Sequence, residues 1–151
     1  MEKRANLLVK GQDALKPLFI MGNYVKNSRI EKTLQELVKI RVSQINGCAY
    51  CLDMHWKDAR AIGETEQRLY GLAVWHESPY YNGRERAALQ WAEAVTDCKV
   101  SNAVYDECAK HFTEEELIDL TISVSLINTW NQLNISFPKE VIGTYKVGEW
   151  G

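Results

Sequence analysis

From Thr113 to about Leu133, roughly twenty residues pass without a glycine or a proline, and what that segment becomes decides the fold class. Within it, "TISVSLIN" alternates polar and apolar residues, which is the period of a strand. Thr113 and Glu116, however, stand at the spacing of a capping box, and three glutamates, Glu114 to Glu116, fill the first turn. A helix N-terminus favours both features, because its free N–H groups and dipole attract side-chain oxygens and negative charge. A helix buried on most sides, with small Ser and Thr at its contacts, accounts for the whole pattern, and a helix is predicted.

Helical signals dominate the rest. Leu34, Leu37, Val38, Arg41 and Ile45 recur at steps of three and four, an amphipathic stripe that ends at the Asn46-Gly47 turn. A second helix is predicted from about Cys48 to Ala61, stopping at Gly63, and another from near Thr65 through "EQRLYGLAVW". "HESPYYNG" reads as a loop. Asn82 with Glu85 forms a weaker capping box that opens "RERAALQWAEAV". The prolines, at 17, 79 and 138, mark no linker, and no internal repeat is evident. With no convincing strand elsewhere, the chain is predicted to be an all-α compact helical bundle, one domain over residues 1–151.

Composition narrows the function classes. At 151 residues the chain is long enough to bury an ordinary core. Its formal charge of -2 is scattered, so neither nucleic acid nor a basic partner is indicated. No stretch has the apolar length of a membrane span or a signal peptide. The expectation is a soluble, cytoplasmic protein. In a reducing compartment, four cysteines (Cys48, Cys51, Cys98 and Cys108) point to metal binding, redox chemistry or inert thiols before structural disulfides.

The informative stretch is "NGCAYCLDMH", Asn46 to His55. As a zinc unit, Cys48 and Cys51 need two further ligands, and Cys98, Cys108 and His111 supply them only at irregular spacing. As a redox pair, the two thiols sit at the start of a helix, where free N–H groups and the dipole favour a thiolate. Residues 48, 51 and 55 step by three and four, so all three side chains share one face. His55 lies one turn beyond Cys51 and two beyond Cys48. It can serve Cys51 directly, which makes Cys51 the candidate nucleophile and Cys48 the resolving thiol. As a third reading, both cysteines are buried thiols and His55 is simply hydrogen-bonded. His76 and His111 read as solvated, and Trp56, Trp75, Trp91 and Trp130 as core or subunit contact, with a pocket wall the lesser reading.

The pattern E-x11-CxxC-x3-H, here Glu36, Cys48, Cys51 and His55, resembles the alkyl hydroperoxidase D-like branch of the carboxymuconolactone decarboxylase family. The similarity runs from "LQELVKIRVSQINGCAYCLDMHWKDARAIGETEQRLYGLAVW" through "RERAALQWAEAVT". The resemblance implies an all-helical fold, assembly as a trimer or hexamer, and dithiol chemistry without a cofactor. It also implies roles: Glu36 orients or charges His55, His55 activates Cys51, and Cys48 closes the disulfide. The substrate would be a hydroperoxide or disulfide, and the electron-transfer partner a lipoyl-bearing protein or a peroxiredoxin. Some hydroperoxidases of this type carry a further relay histidine just before the second cysteine, where this chain has Tyr50. The name-giving decarboxylases generally lack the CxxC, which argues against that activity. Glu36 is assigned by resemblance alone. On a helical wheel it faces away from the Leu34 stripe, beside Ile40 and Ser43, as a surface glutamate would. Association is expected to cover apolar surface around Trp75, Tyr80 and Tyr81.

Overall fold

The structure, a computed structural model, describes residues 4–138 and 141–150, and these contain helices and no strand. In chain order they are α1 (Leu7–Lys10), α2 (Gln12–Lys26), α3 (Lys32–Asn46), α4 (Ala49–Ala61) and α5 (Glu66–Gly71). A 3-10 turn at Leu72–Val74 follows, then α6 (Gly83–Thr96), α7 (Asn102–Cys108) and α8 (Glu114–Ser136). Both expected capping boxes form, Asn82 with Glu85 on α6 and Thr113 with Glu116 on α8, each satisfying two N–H groups at the helix start. The strand-like alternation within α8 arises because this helix is enclosed. Leu117, Leu120, Val124 and Ile127 face the core, while Thr121, between them, accepts from the Trp91 indole at 2.9 Å.

The central element is α3, which is covered on two faces. Leu34, Val38 and Val42 pack with Ala88, Trp91 and Ala92 of α6 and with Leu120 and Val124 of α8. On its other face, Leu37 and Ile40 pack with Ala59 of α4, Leu69, Leu72 and Leu89. Each such aliphatic side chain contributes about 1.5–3 kcal/mol on burial, so α3 is firmly held on both faces. Ile45 departs from the expected stripe and is 39% exposed. In that last turn the α8-facing positions are polar instead. Ser43 accepts from Asn131 at 3.0 Å, and Asn46 donates to Asn128 and Asn131 at 2.8 and 3.0 Å. Ile45 is thereby turned outward.

The loop after the 3-10 turn also differs from expectation. Trp75 and Tyr81 are buried, so the surface expected around them is interior. Guanidinium groups make this possible by satisfying loop carbonyls that burial would otherwise orphan. Arg86 donates to the carbonyls of Trp75, Ser78 and His76, and Arg68 donates to that of Tyr80. Exposed apolar side chains lie on α2, at Phe19, Ile20, Met21 and Tyr24, and just before the loop, at Tyr70 and Val74. Among the described residues, no helix is long and apolar enough to cross a membrane.

Candidate active site

Gly47 closes α3 in the left-handed conformation, φ 68°, which a side chain at this position would disfavour. The chain therefore reverses within two residues and starts α4 beside α3. Cys48 is the N-cap of α4, and its Sγ accepts the Cys51 N–H at 3.3 Å. Cys48 and Cys51 are joined by a disulfide, with their Cα atoms 5.3 Å apart. Both sulfurs lie beneath the surface, packed with Tyr50 and Met54.

One turn further along α4, the His55 ring meets Glu36 of α3, with Nδ1 and Oε2 2.9 Å apart. The second face of α3 packs on α4, and the Glu36 side chain is only 13% exposed where periodicity alone suggested a solvated residue. Lys39 donates to the other carboxylate oxygen of Glu36 at 2.9 Å. Burial alone would push the Glu36 carboxyl up. The facing His55, through charge and hydrogen bond, and Lys39 outweigh it and hold the group at about 2. Glu36 is thus an anion throughout the neutral range and an acceptor for an Nδ1–H, which leaves Nε2 of a neutral His55 as the base.

Residues that the sequence did not single out complete the surroundings. Asn134 of α8 lies 3.6 Å from Cys51 Sγ through its amide nitrogen. The Tyr145 hydroxyl donates to both oxygens of Asp58, at 2.8 and 3.1 Å. Trp150 donates to the Tyr50 hydroxyl at 3.0 Å. His55, Asn134, Tyr50, Met54, Trp130 and Trp150 line a cavity of about 1090 Å³, so Trp130 takes the pocket-wall role. Trp75 and Trp91 are core, and Trp56 is exposed.

The other zinc candidates are elsewhere. Cys98 is exposed, while Cys108 is buried against the Ala87 carbonyl and pushed up to about 11 by that burial. Among the described residues, neither they nor His111 group with Cys48 and Cys51. His76 is exposed, stacked on Trp75 and 3.3 Å from Glu93. Four residues from two adjacent helices, Glu36, Cys48, Cys51 and His55, are therefore the ones brought together. They offer a dithiol, an imidazole base and a buried carboxylate.

The family model for the carboxymuconolactone decarboxylase family matches residues 12–94, from the start of α2 nearly to the end of α6. The chain is similar to the protein YdfG of Bacillus subtilis (strain 168), 41% identical over 139 residues, covering 90% of this chain and 95% of that one. Among solved structures it is similar to an Agrobacterium tumefaciens protein of unknown function, proposed as the antioxidant defence protein AhpD. That structure has a TM-score of 0.88 and 37% identity, and the match covers 92% of this chain and 97% of that one. The debrominase Bmp8, solved as a cysteine-to-alanine variant in complex with a tribromopyrrole, shares the fold at a TM-score of 0.79 and 20% identity, over 89% of this chain and 73% of that one. The chain belongs to the carboxymuconolactone decarboxylase family, in its alkyl hydroperoxidase D-like form.

Proposed function

We propose that the chain is a thiol-dependent peroxidase and disulfide oxidoreductase of the cytoplasm, in which the Cys48–Cys51 dithiol reduces hydroperoxides. The observation that carries this reading is the Glu36–His55 pair, at 2.9 Å, one helical turn from Cys51 of the disulfide-bonded pair. A buried imidazole bonded to a carboxylate is the arrangement that activates a neighbouring thiol, because the carboxylate orients the ring and stabilises the imidazolium it becomes.

In the proposed cycle, His55 Nε2 takes the Cys51 proton and the thiolate attacks a peroxide oxygen. An S–O bond forms, the O–O bond breaks, and the alkoxide leaves as the alcohol with a proton from the imidazolium. Cys48 then attacks the Cys51 sulfur, an S–S bond forms, the S–O bond breaks, and the oxygen leaves as water with the proton that the Cys48 thiol gives up, closing the disulfide. Two electrons have passed from the dithiol to the peroxide. A dithiol donor, such as the lipoyl group of a partner protein, restores the thiols, and a peroxiredoxin is the alternative exchange partner.

In the test, fully reduced chain freed of reductant should consume one equivalent of an organic hydroperoxide and release one of alcohol. Chain alkylated beforehand should consume none. Enzymatic turnover retained in a variant lacking both Cys48 and Cys51 would instead support a decarboxylase-type chemistry in which the thiols are bystanders. The proposal extends to a homo-oligomer, trimer or hexamer, because α2 exposes Ile20 at 74% and Phe19 at 45%. Light scattering at micromolar concentration should give a multiple of the 17.3 kDa chain mass, and a monomer mass would contradict it.

A further inference from the structure

We propose that Asp58 and Tyr145 form a second arm of the His55 relay. In it Asp58, held by the Tyr145 hydroxyl, is a positioning residue that stabilises the imidazolium formed when His55 takes the Cys51 proton. The inference rests on the dithiol reading above and deepens it.

The geometry is that of one imidazole bonded to Glu36 with a second carboxylate, Asp58, nearby. Asp58 follows His55 by three residues and so shares its face of α4. One ligand-type atom each from Glu36, His55 and Asp58 lie within 4.8 Å of one another. Glu36 is occupied by the ring and by Lys39. Asp58 is occupied by Tyr145 through both of its oxygens. With His55 neutral, this partly buried group carries two negative charges and one positive, from Lys39. With His55 protonated, the charges balance. The step that must precede peroxide attack, proton movement from Cys51 to His55, is therefore the step that neutralises the cluster.

Tyr145 is a fixed donor within it. Burial, together with the Asp58 hydrogen bond and charge, holds its phenol above the ordinary range, so it keeps its proton. Burial pushes the Asp58 carboxyl up, the Tyr145 bond opposes this, the Glu36 charge adds to it, and His55 and Lys39 oppose it. The net direction is upward, and the Tyr145 hydrogen bond is the largest of the influences that favour the ionised form against burial and Glu36, with His55 and Lys39 acting in the same sense. The charged and titratable groups around the ring are thus Glu36 and Lys39 from α3, Cys51 and Asp58 from α4, and Tyr145 from the tail. Across the cavity lie Arg4, Tyr50 and Glu149, and the residues that α8 contributes to its lining, Ser123, Leu126, Ile127, Trp130 and Asn134, are all uncharged.

The tail is built to hold this position. Tyr145 is only 6% exposed. Lys57 of α4 donates to the carbonyls of Gly143 and Tyr145, at 2.9 and 3.2 Å, and Gly148 donates its N–H to the Tyr145 oxygen at 3.3 Å. Gly143, Tyr145 and Gly148 lie beyond the 12–94 segment matched by the family model, so the Tyr145 half of this arm is supplied by the tail, while Asp58 lies within the matched segment on α4.

The test reads His55 directly by NMR titration of the disulfide form, in which the chain's three histidines can be told apart. In Asp58→Asn, His55 should lose its proton at lower pH, by about a tenfold change in proton concentration. Asp58→Glu, which keeps the charge, should move it less, and Tyr145→Phe should move it in the same direction by a smaller amount. In the reduced protein the Cys51 thiolate should then form at higher pH, seen by its ultraviolet absorbance. An unchanged His55 titration in Asp58→Asn overturns the proposal. Should that variant fail to fold, Tyr145→Phe decides by the same criterion. A moved titration in a chain that does not consume hydroperoxide overturns the peroxidase reading and leaves the Asp58 arm standing. An unmoved one in a chain that does consume it has the reverse meaning.

Discussion

Cys51→Ser should slow the first reaction with hydroperoxide by about a hundredfold or more, the contribution of a positioned base, while Cys48→Ser should still react once. The single turnover of Cys48→Ser should stop at a sulfenic acid on Cys51, trapped by a dimedone-type probe, because no resolving thiol remains. Two features support the roles proposed for the two thiols. His55 stands one turn beyond Cys51, and Asn134, which lines the cavity, lies 3.6 Å from the Cys51 sulfur. In the proposed cycle Cys51 is thus the thiol one turn from the base and beside a residue of the cavity wall. The helix N-terminus argues the other way, since Cys48 Sγ accepts the Cys51 N–H and would be stabilised as a thiolate. That interaction suits a resolving thiol, which must also ionise, but it supplies no proton acceptor during the attack. Fast reaction in Cys51→Ser together with slow reaction in Cys48→Ser would reverse the roles. Fast reaction in both would remove the pair from the site.

The second large effect concerns the relay. His55→Gln should slow oxidation of the dithiol by about a hundredfold while leaving the fold intact, since the ring lies at the edge of the cavity and outside both main apolar clusters. Glu36→Gln should slow it as well, and should also cost stability. The Glu36 carboxyl is held at about 2 against an ordinary 4.5, so its ionised form contributes stability that is fully present above about pH 4.5. Over the 2.5 units between those values the contribution is about 3 kcal/mol as an upper figure. It should be lost as the pH falls from 4.5 through 2, so the gap between wild type and Glu36→Gln, followed by denaturant unfolding, should close across that window. A gap that stays constant from neutral pH to pH 2 would show that Glu36 is not held ionised by His55 and Lys39.

Much of the frame is legible in the sequence because its signals are local. The capping residues Thr113, Glu116, Asn82 and Glu85 act within one turn of themselves, and each does what its spacing indicates. The Asn46-Gly47 turn is likewise local, since a left-handed residue at Gly47 is enough to end α3. Cys48, Cys51 and His55 share a face by helical arithmetic alone. Glu36 is different. A wheel shows one apolar stripe, but α3 has partners on two sides, and only tertiary packing brings its second face onto α4. Apolar surface was expected around Trp75, Tyr80 and Tyr81 because they flank a loop, yet Trp75 and Tyr81 are buried, and the arginines that offset the loop's burial come from α5 and α6. Neither α2 nor α7 carried a decisive local signal. Asp58, Asn134, Tyr145 and Trp150 lay outside the motif, and their proximity to it depends on where α8 and the tail return. Asp58 alone had a local clue, its position three residues after His55 on the same face.

The most direct test of the account is a count of free thiols, with the new bond located by peptide mapping, after brief exposure of the reduced chain to an organic hydroperoxide. The chain has four cysteines, of which Cys98 and Cys108 lie outside the disulfide. The count should fall from four to two, with the new bond joining Cys48 to Cys51. A count that stays at four, or one that falls through oxidation of the exposed Cys98 while Cys48 and Cys51 remain thiols, would contradict it.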